Sequence, residues 1–212
     1  MTGMKKNETV VIGLTGSYGC GKTTVARMLK KLGAAVIDAD KLAHLVYKKN
    51  TAAYKKIVKA FGMRILKDSG EIDRRKLGTI AFRNKSSLKL LCGIVHPAVL
   101  KNIKIRVNRL VASGRYSAVV IDAPLLIETG LHDIVHLIIV IRTSNATQIR
   151  RINSKTGISK REIAARINSQ MALRDKIRLA DHVINNEGNL NSTYTEVKKI
   201  WRDVAKVKRR RH

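Results

Sequence analysis

The segment Gly16-Ser17-Tyr18-Gly19-Cys20-Gly21-Lys22-Thr23 constrains this chain more than any other, because a glycine, any four residues and then Gly-Lys-Thr builds a phosphate cradle. Val10-Val11-Ile12-Gly13-Leu14, just before it, is a short apolar run of buried-strand type. Residues 24–32, just after it, place Val25, Met28, Leu29 and Leu32 at helical spacing. Strand, glycine-rich turn and helix, in that order, are the context in which the motif binds phosphate. Glycines let successive backbone N–H groups curl around phosphate oxygens where a Cβ would clash. Lys22 then lies against the terminal phosphates, Thr23 offers its hydroxyl to Mg²⁺, and the helix N-terminus favours the anion.

At 212 residues, 44% of them hydrophobic, the chain can bury one substantial core with helical insertions. The formal charge of +28, from 43 Lys and Arg against 15 Asp and Glu, reads either as a solvated basic surface or as affinity for polyanions; it says little about the reaction. Cys20 and Cys92 form no CxxC pair, and a disulfide at Cys20 would obstruct the cradle, which points to a reducing compartment. The first nine residues are polar, and the apolar run after them is too short for a signal segment or a membrane span. A soluble cytoplasmic protein is expected.

Five runs read as parallel strands: 9–14, 34–38, 118–122, 136–141 and 182–185. Their alternation with helical stretches predicts an α/β fold with ligands outside the carboxyl ends of the strands. The phosphate loop, Asp38 and Asp122 all fall at that edge. Residues 41–115 interrupt the alternation with mostly helical patterning, broken at Asp68-Ser69-Gly70 and at His96-Pro97. They read as an insert over the acceptor. Residues 144–178, very basic and turning at Thr156-Gly157, read as a lid. The core is then 8–40, 116–143 and 179–205, followed by a basic, frayed tail at 206–212.

Asp38-Ala39-Asp40 admits two readings. Either both carboxylates face the phosphate crevice, one working on an acceptor hydroxyl and the other on Mg²⁺, or they are the cap and turn of a following helix. Val119-Val120-Ile121-Asp122 is an apolar strand ending in a carboxylate able to bind a metal's water shell. Glu128, in Pro124-Leu125-Leu126-Ile127-Glu128, either binds the acceptor or structures its loop. Arg150, Arg151, Lys155 and Arg166 in the lid offer positive charge to a transferring phosphoryl group. His96-Pro97 reads as a helix-breaking turn, since no partner makes His96 a catalytic pair.

Taken together the chain resembles the dephospho-CoA kinase family from Val11 to about Gly188. The resemblance runs through Gly13-Leu14-Thr15-Gly16, Asp38-Ala39-Asp40, Gly70-Glu71-Ile72-Asp73-Arg74 with Leu77-Gly78 and Phe82, and Ile94-Val95-His96-Pro97. It continues through Pro124-Leu125-Leu126-Ile127-Glu128-Thr129-Gly130-Leu131, Gln148 with Arg151, Arg166-Ile167 with Gln170, and Ala180-Asp181-His182-Val183-Ile184-Asn185-Asn186. It implies a P-loop nucleotide-kinase-like, five-stranded parallel sheet with helices on both faces, a helical CoA-binding insert and a lid. The implied reaction phosphorylates the ribose 3′-hydroxyl of dephospho-CoA with ATP and Mg²⁺. Gly19, Cys20, Gly21, Lys22, Thr23 and Thr24 would bind ATP, with Asn186 near adenine and Thr23 and Asp122 at the metal. Asp40 would be the base, with Lys22 and Arg151 on the phosphates. Asp38, Arg74, His96, Pro124, Leu125 and Glu128 would surround the acceptor. Cys20 replaces the usual Ser, Tyr18 is bulkier than the usual aliphatic residue, and Lys155-Thr156 replaces Arg-Asp, which removes a second bidentate phosphate contact. The competing functions are another small-molecule kinase on the same core, a degenerate kinase kept as a binding module, and a nucleic-acid-dependent NTPase. The last is disfavoured by an aromatic content of 4%, which leaves few stacking platforms.

Overall fold

A strand without polar alternation must be covered on both faces, and β1 (Val10–Gly16) is buried along its whole length. In this computed structural model, which describes residues 9–81 and 83–210, β1 pairs in parallel with β3 (Ala118–Asp122) on one side and β4 (Leu137–Arg142) on the other. Adding β2 (Ala34–Asp38) and β5 (His182–Asn185) gives a five-stranded sheet in the order β2-β3-β1-β4-β5. Residue 8, Phe82 and residues 211–212 lie outside the described residues. The connections run first to one side of β1 and then to the other. The switch point, where ligands collect in such sheets, is therefore the carboxyl end of β1. Register brings Leu14 beside Asp122 and Gly16 beside Ile141, so Asp122 stands next to the strand that delivers the phosphate loop.

By Cα packing the chain divides into two compact units, residues 38–106 and the remainder. In the sheet unit, alternation along β1 sends Ile12 and Leu14 to one face and Gly13 to the other. The first face is sealed by α1 (Lys22–Lys31) through Val25 and Leu29, and by α9 (Leu190–Arg210) through Val197, Ile200 and Val204. Each fully buried aliphatic side chain of this kind contributes about 1.5–3 kcal/mol of transfer free energy. At Gly13 a Cβ would lie 2.5 Å from Leu126 Cδ2, so the chain after β3 covers the opposite face closely. Helices α6 (Asn145–Thr156), α7 (Lys160–Asn168) and α8 (Leu173–Arg178) fill the interval before β5, and Gly157 ends α6 in a left-handed cap. Helix α9 continues to Arg210, into the segment read as a basic tail, since no glycine or proline stops it.

The 38–106 unit holds α2 (Ala39–Val46), α3 (Ala52–Phe61), α4 (Arg74–Ala81) and most of α5 (Lys85–Ala112). Ile57, Phe61, Ile65, Ile72, Leu77 and Ala81 form its core. The break at Asp68-Ser69-Gly70 is a tight turn, with Lys67 N donating to Glu71 O at 2.9 Å and Tyr54 Oη to Gly70 O at 2.5 Å. The break expected at His96-Pro97 does not occur; α5 runs straight through Pro97. A proline removes one helical hydrogen bond, to the carbonyl four residues earlier, and crowds that residue. Here that residue is Gly93, which is small, and both Gly93 and Pro97 are exposed, so water can take the freed carbonyl. Val95, half-buried against the unit's core before the proline, and Val99 and Ile103, both buried after it, hold the helix on either side.

Candidate active site

Two glycines set the phosphate loop. Gly19 and Gly21 have φ of 81° and 93°, the left-handed region that side chains disfavour. A Cβ at Gly19 would collide with Ile152 of α6, and one at Gly21 with Asn186 Nδ2, with Arg151 Nη1 3.9 Å away. Space and backbone therefore both demand glycine. Lys22, the first residue of α1, reaches back over the loop, its Nζ donating to Gly16 O at 3.2 Å and Ser17 O at 3.5 Å. Thr23 is exposed beside it, and Thr24 N donates to Gly21 O at 3.0 Å.

The loop is braced from behind. Cys20 is fully buried; burial pushes its thiol above the usual range, and its carbonyl accepts from Asn186 Nδ2 at 2.8 Å and Thr143 Oγ1 at 3.2 Å. Asn186 Oδ1 in turn accepts from Thr193 Oγ1 at 2.9 Å. Asn186 is 4% exposed, so the side chain expected near adenine is committed to holding Cys20 in place. Its neighbours Asn185 and Glu187 instead line a cavity of about 280 Å³ with Arg142, Thr143, Ser144, Leu173 and Ile177. Glu187 accepts from the Ser144 amide, and that bond holds its carboxyl below the ordinary range. Gly21→Ala adds a strained backbone, about 1–2 kcal/mol, to loss of the Asn186–Cys20 bond, about 1 kcal/mol. The expected result is a KM for ATP raised roughly tenfold to a hundredfold, measured by initial rates; an unchanged KM would show that the loop accommodates a side chain.

Among the lid residues, Arg151 is half-buried on the α6 face that carries Gln148 and Ile152 to the loop; Lys155 follows one turn later on that face but is exposed, and Arg150 is exposed on the opposite side. Arg166 turns to Tyr18: its guanidinium lies 5.6 Å from the ring centroid, and Nη1 donates to the Tyr18 hydroxyl at 3.2 Å.

In the 38–106 unit the carboxylates of Asp38-Ala39-Asp40 take different tasks. Asp38 caps α2, accepting from Lys41 N at 2.9 Å, and pairs with Lys41 Nζ at 3.3 Å. Asp40 lies in the first turn and lines a cavity of about 470 Å³ together with His44, Tyr47, Arg74, Cys92 and His96 over an apolar floor that includes Leu77, Leu88 and Leu91. Arg74 hydrogen-bonds the Tyr47 phenol, whose pKa burial raises. Burial also lowers the pKa of His96, favouring the neutral imidazole near pH 7. Asp40, Arg74 and His96, far apart in sequence, thus share one cavity.

The family model described as dephospho-CoA kinase matches residues 10–192. The chain belongs to the dephospho-CoA kinase family. A dephospho-CoA kinase of Carboxydothermus hydrogenoformans is 41% identical over 201 residues, covering 92% of this chain and 97% of that one. The solved dephospho-CoA kinase from Campylobacter jejuni superposes with a TM-score of 0.69 at 29% identity, over 96% of this chain and 98% of that chain. A crystal structure from Thermus thermophilus gives a TM-score of 0.77 at 28% identity, over 92% and 98%.

Dephospho-CoA kinases use ATP with Mg²⁺, and the donor set fits that ion: the Thr23 hydroxyl and the Asp122 carboxylate are hard oxygens, leaving most of the coordination to phosphate and water. Among the described residues no cluster of three or more His, Cys, Asp and Glu forms a self-contained metal cage. Glu128 is taken up by the protein, pairing with Lys176 Nζ at 2.9 Å and accepting from Met171 N at 3.0 Å. Pro124 faces the same lysine through its carbonyl, and Leu125 O accepts from Thr129 Oγ1 at 2.7 Å. Sequence reading passed over Lys176. The signal was there: with Leu173 and Ile177 it falls at helical spacing on an apolar face, an odd place for an ammonium. Among the described residues no helix is long and apolar enough to cross a membrane.

Proposed function

We propose that this chain transfers the γ-phosphoryl group of ATP to the ribose 3′-hydroxyl of dephospho-CoA, giving coenzyme A. The observation that carries this reading is the cavity walled by Asp40, Arg74 and His96 in a dephospho-CoA kinase family chain with an intact phosphate loop. ATP lies along the loop amides and Lys22, its base toward the cavity of Asn185 and Glu187. Thr23 and Asp122 would hold Mg²⁺, which would supply positive charge against the phosphates. Asp40 accepts the proton of the attacking hydroxyl, Arg74 and the neutral His96 orient the acceptor, and the apolar floor takes its uncharged portion. Arg151 faces the charge that spreads over the transferring oxygens. Residues 41–115 act as the acceptor insert and 144–178 as the lid. Pro124 and Leu125 border the acceptor, Asp38 serves it by capping α2, and Glu128 by holding its own loop. Two free thiols, one of them within the loop, suit a reducing cytoplasm.

The test is a panel of acceptors with γ-labelled ATP: dephospho-CoA, pantetheine phosphate, AMP, CMP and shikimate. Label should enter dephospho-CoA alone and co-elute with coenzyme A. Transfer to another acceptor, or an ATPase stimulated by RNA or DNA with no coenzyme A formed, would replace this reading.

A further inference from the structure

We propose that Lys176 is a positioning residue for the transfer, the pin that fastens the lid's exit to both the phosphate loop and the loop after β3. The inference rests on the kinase reading above.

Lys176 is fully buried, and its ammonium has two partners: it donates to Pro124 O at 2.6 Å and pairs with Glu128 Oε1 at 2.9 Å. Both partners belong to the segment that leaves β3. The same Glu128 oxygen accepts the amide of Met171 at 3.0 Å, so the carboxylate grips the chain five residues before Lys176 as well. Immediately before Met171, Gln170 Oε1 accepts the amide of Tyr18 inside the phosphate loop at 2.9 Å. The ring closes at Pro124 O, which also accepts from Thr15 Oγ1 at 3.2 Å, one residue before the first glycine of the cradle. Three stretches far apart in sequence, 15–18, 124–128 and 170–176, are thereby tied by charged and amide hydrogen bonds within one compact unit.

Stability alone does not account for a lysine here. Burying an ion pair strips water from both charges, and an apolar side chain of similar length often leaves a protein as stable or more so. What an ammonium does that a methyl group cannot is fix direction, holding a carbonyl and a carboxylate at set places. The lid helices α6 and α7 carry Arg151 and Arg166. Their entry is held at Ser144 by Glu187, and their exit by Gln170, Glu128 and Lys176. Releasing the exit lets α7 shift against Tyr18 and loosens the frame that presents Arg151. Displacements near 1 Å cost about a hundredfold in such reactions.

The experiment compares the full-length enzyme with Lys176→Met and Glu128→Gln. Kinetics are read separately for ATP and dephospho-CoA, together with thermal melts and hydrogen exchange of peptides spanning Tyr18 and Met171. Lys176→Met should keep a cooperative melt and lower kcat between about tenfold and a hundredfold. Its KM for ATP should stay within about threefold, and the Tyr18 and Met171 amides should exchange faster. A kcat within about twofold of the parent, or a loss matched by the unfolded fraction with Tyr18 protection intact, overturns the proposal. If Lys176→Met does not fold, Glu128→Gln decides. It keeps an acceptor for Met171 and removes the charge, so lowered kcat with faster Met171 exchange supports the pin, and parental kcat overturns it.

Discussion

Asp40→Asn should lower kcat by between about a hundredfold and ten-thousandfold, the range for loss of a positioned proton acceptor, while ATP binds as before. The amide is isosteric with the carboxylate and keeps the first turn of α2 intact, so the cavity with Arg74 and His96 persists. What disappears is the carboxylate proposed to take the 3′-hydroxyl proton. Asp38→Asn is the matched control. Asp38 caps α2 through Lys41 N, and Asn caps a helix as well as Asp does, so turnover there should change little. Parallel measurement of kcat and nucleotide affinity for both variants separates base from cap. Near-parental turnover in Asp40→Asn removes Asp40 from the chemistry.

Lys22→Ala should lower kcat/KM for ATP by about a thousandfold, the effect of removing one preorganised charge from a developing anion. Its ammonium also donates to the carbonyls of Gly16 and Ser17, so some loss through loop distortion has to be considered. The loop has independent supports, however. Asn186 and Thr143 hold the Cys20 carbonyl, and Gln170 holds the Tyr18 amide. The melting temperature should therefore move little, which assigns the kinetic loss to the phosphates. A kcat/KM within about tenfold of the parent would mean that the backbone amides alone hold the nucleotide.

Features of this chain that were legible in its sequence are those set by neighbours along the chain. The phosphate loop is one local motif between a strand and a helix, and each of the five parallel strands is an apolar run too short for a helix core. Local rules failed where partners are remote. Proline propensity argued for a break at His96-Pro97, but burial on either side and a glycine one turn earlier let α5 continue. Spacing could not decide whether Asp38 and Asp40 act together, because the answer depends on where α2 begins: one residue precedes the helix and the other rides on it. Nothing near Asn186 announces that its amide serves Cys20, 166 residues away. The partners of Lys176 at Pro124 and Glu128, and of Gln170 at Tyr18, are equally remote in sequence.

The position of β1 at the centre of the sheet has a consequence for biogenesis. Its neighbours are Ala118–Asp122 and Leu137–Arg142, and its cover includes Val197, Ile200 and Val204 from α9. The strand of this sheet that is made first is thus among the last to be sheltered. Long-range parallel pairing is slow to form, and an unpaired apolar strand is an aggregation hazard while it waits. Nascent chains stalled before β4 should be bound by holdase chaperones and cut readily by proteases, whereas chains extended past Val204 should resist both.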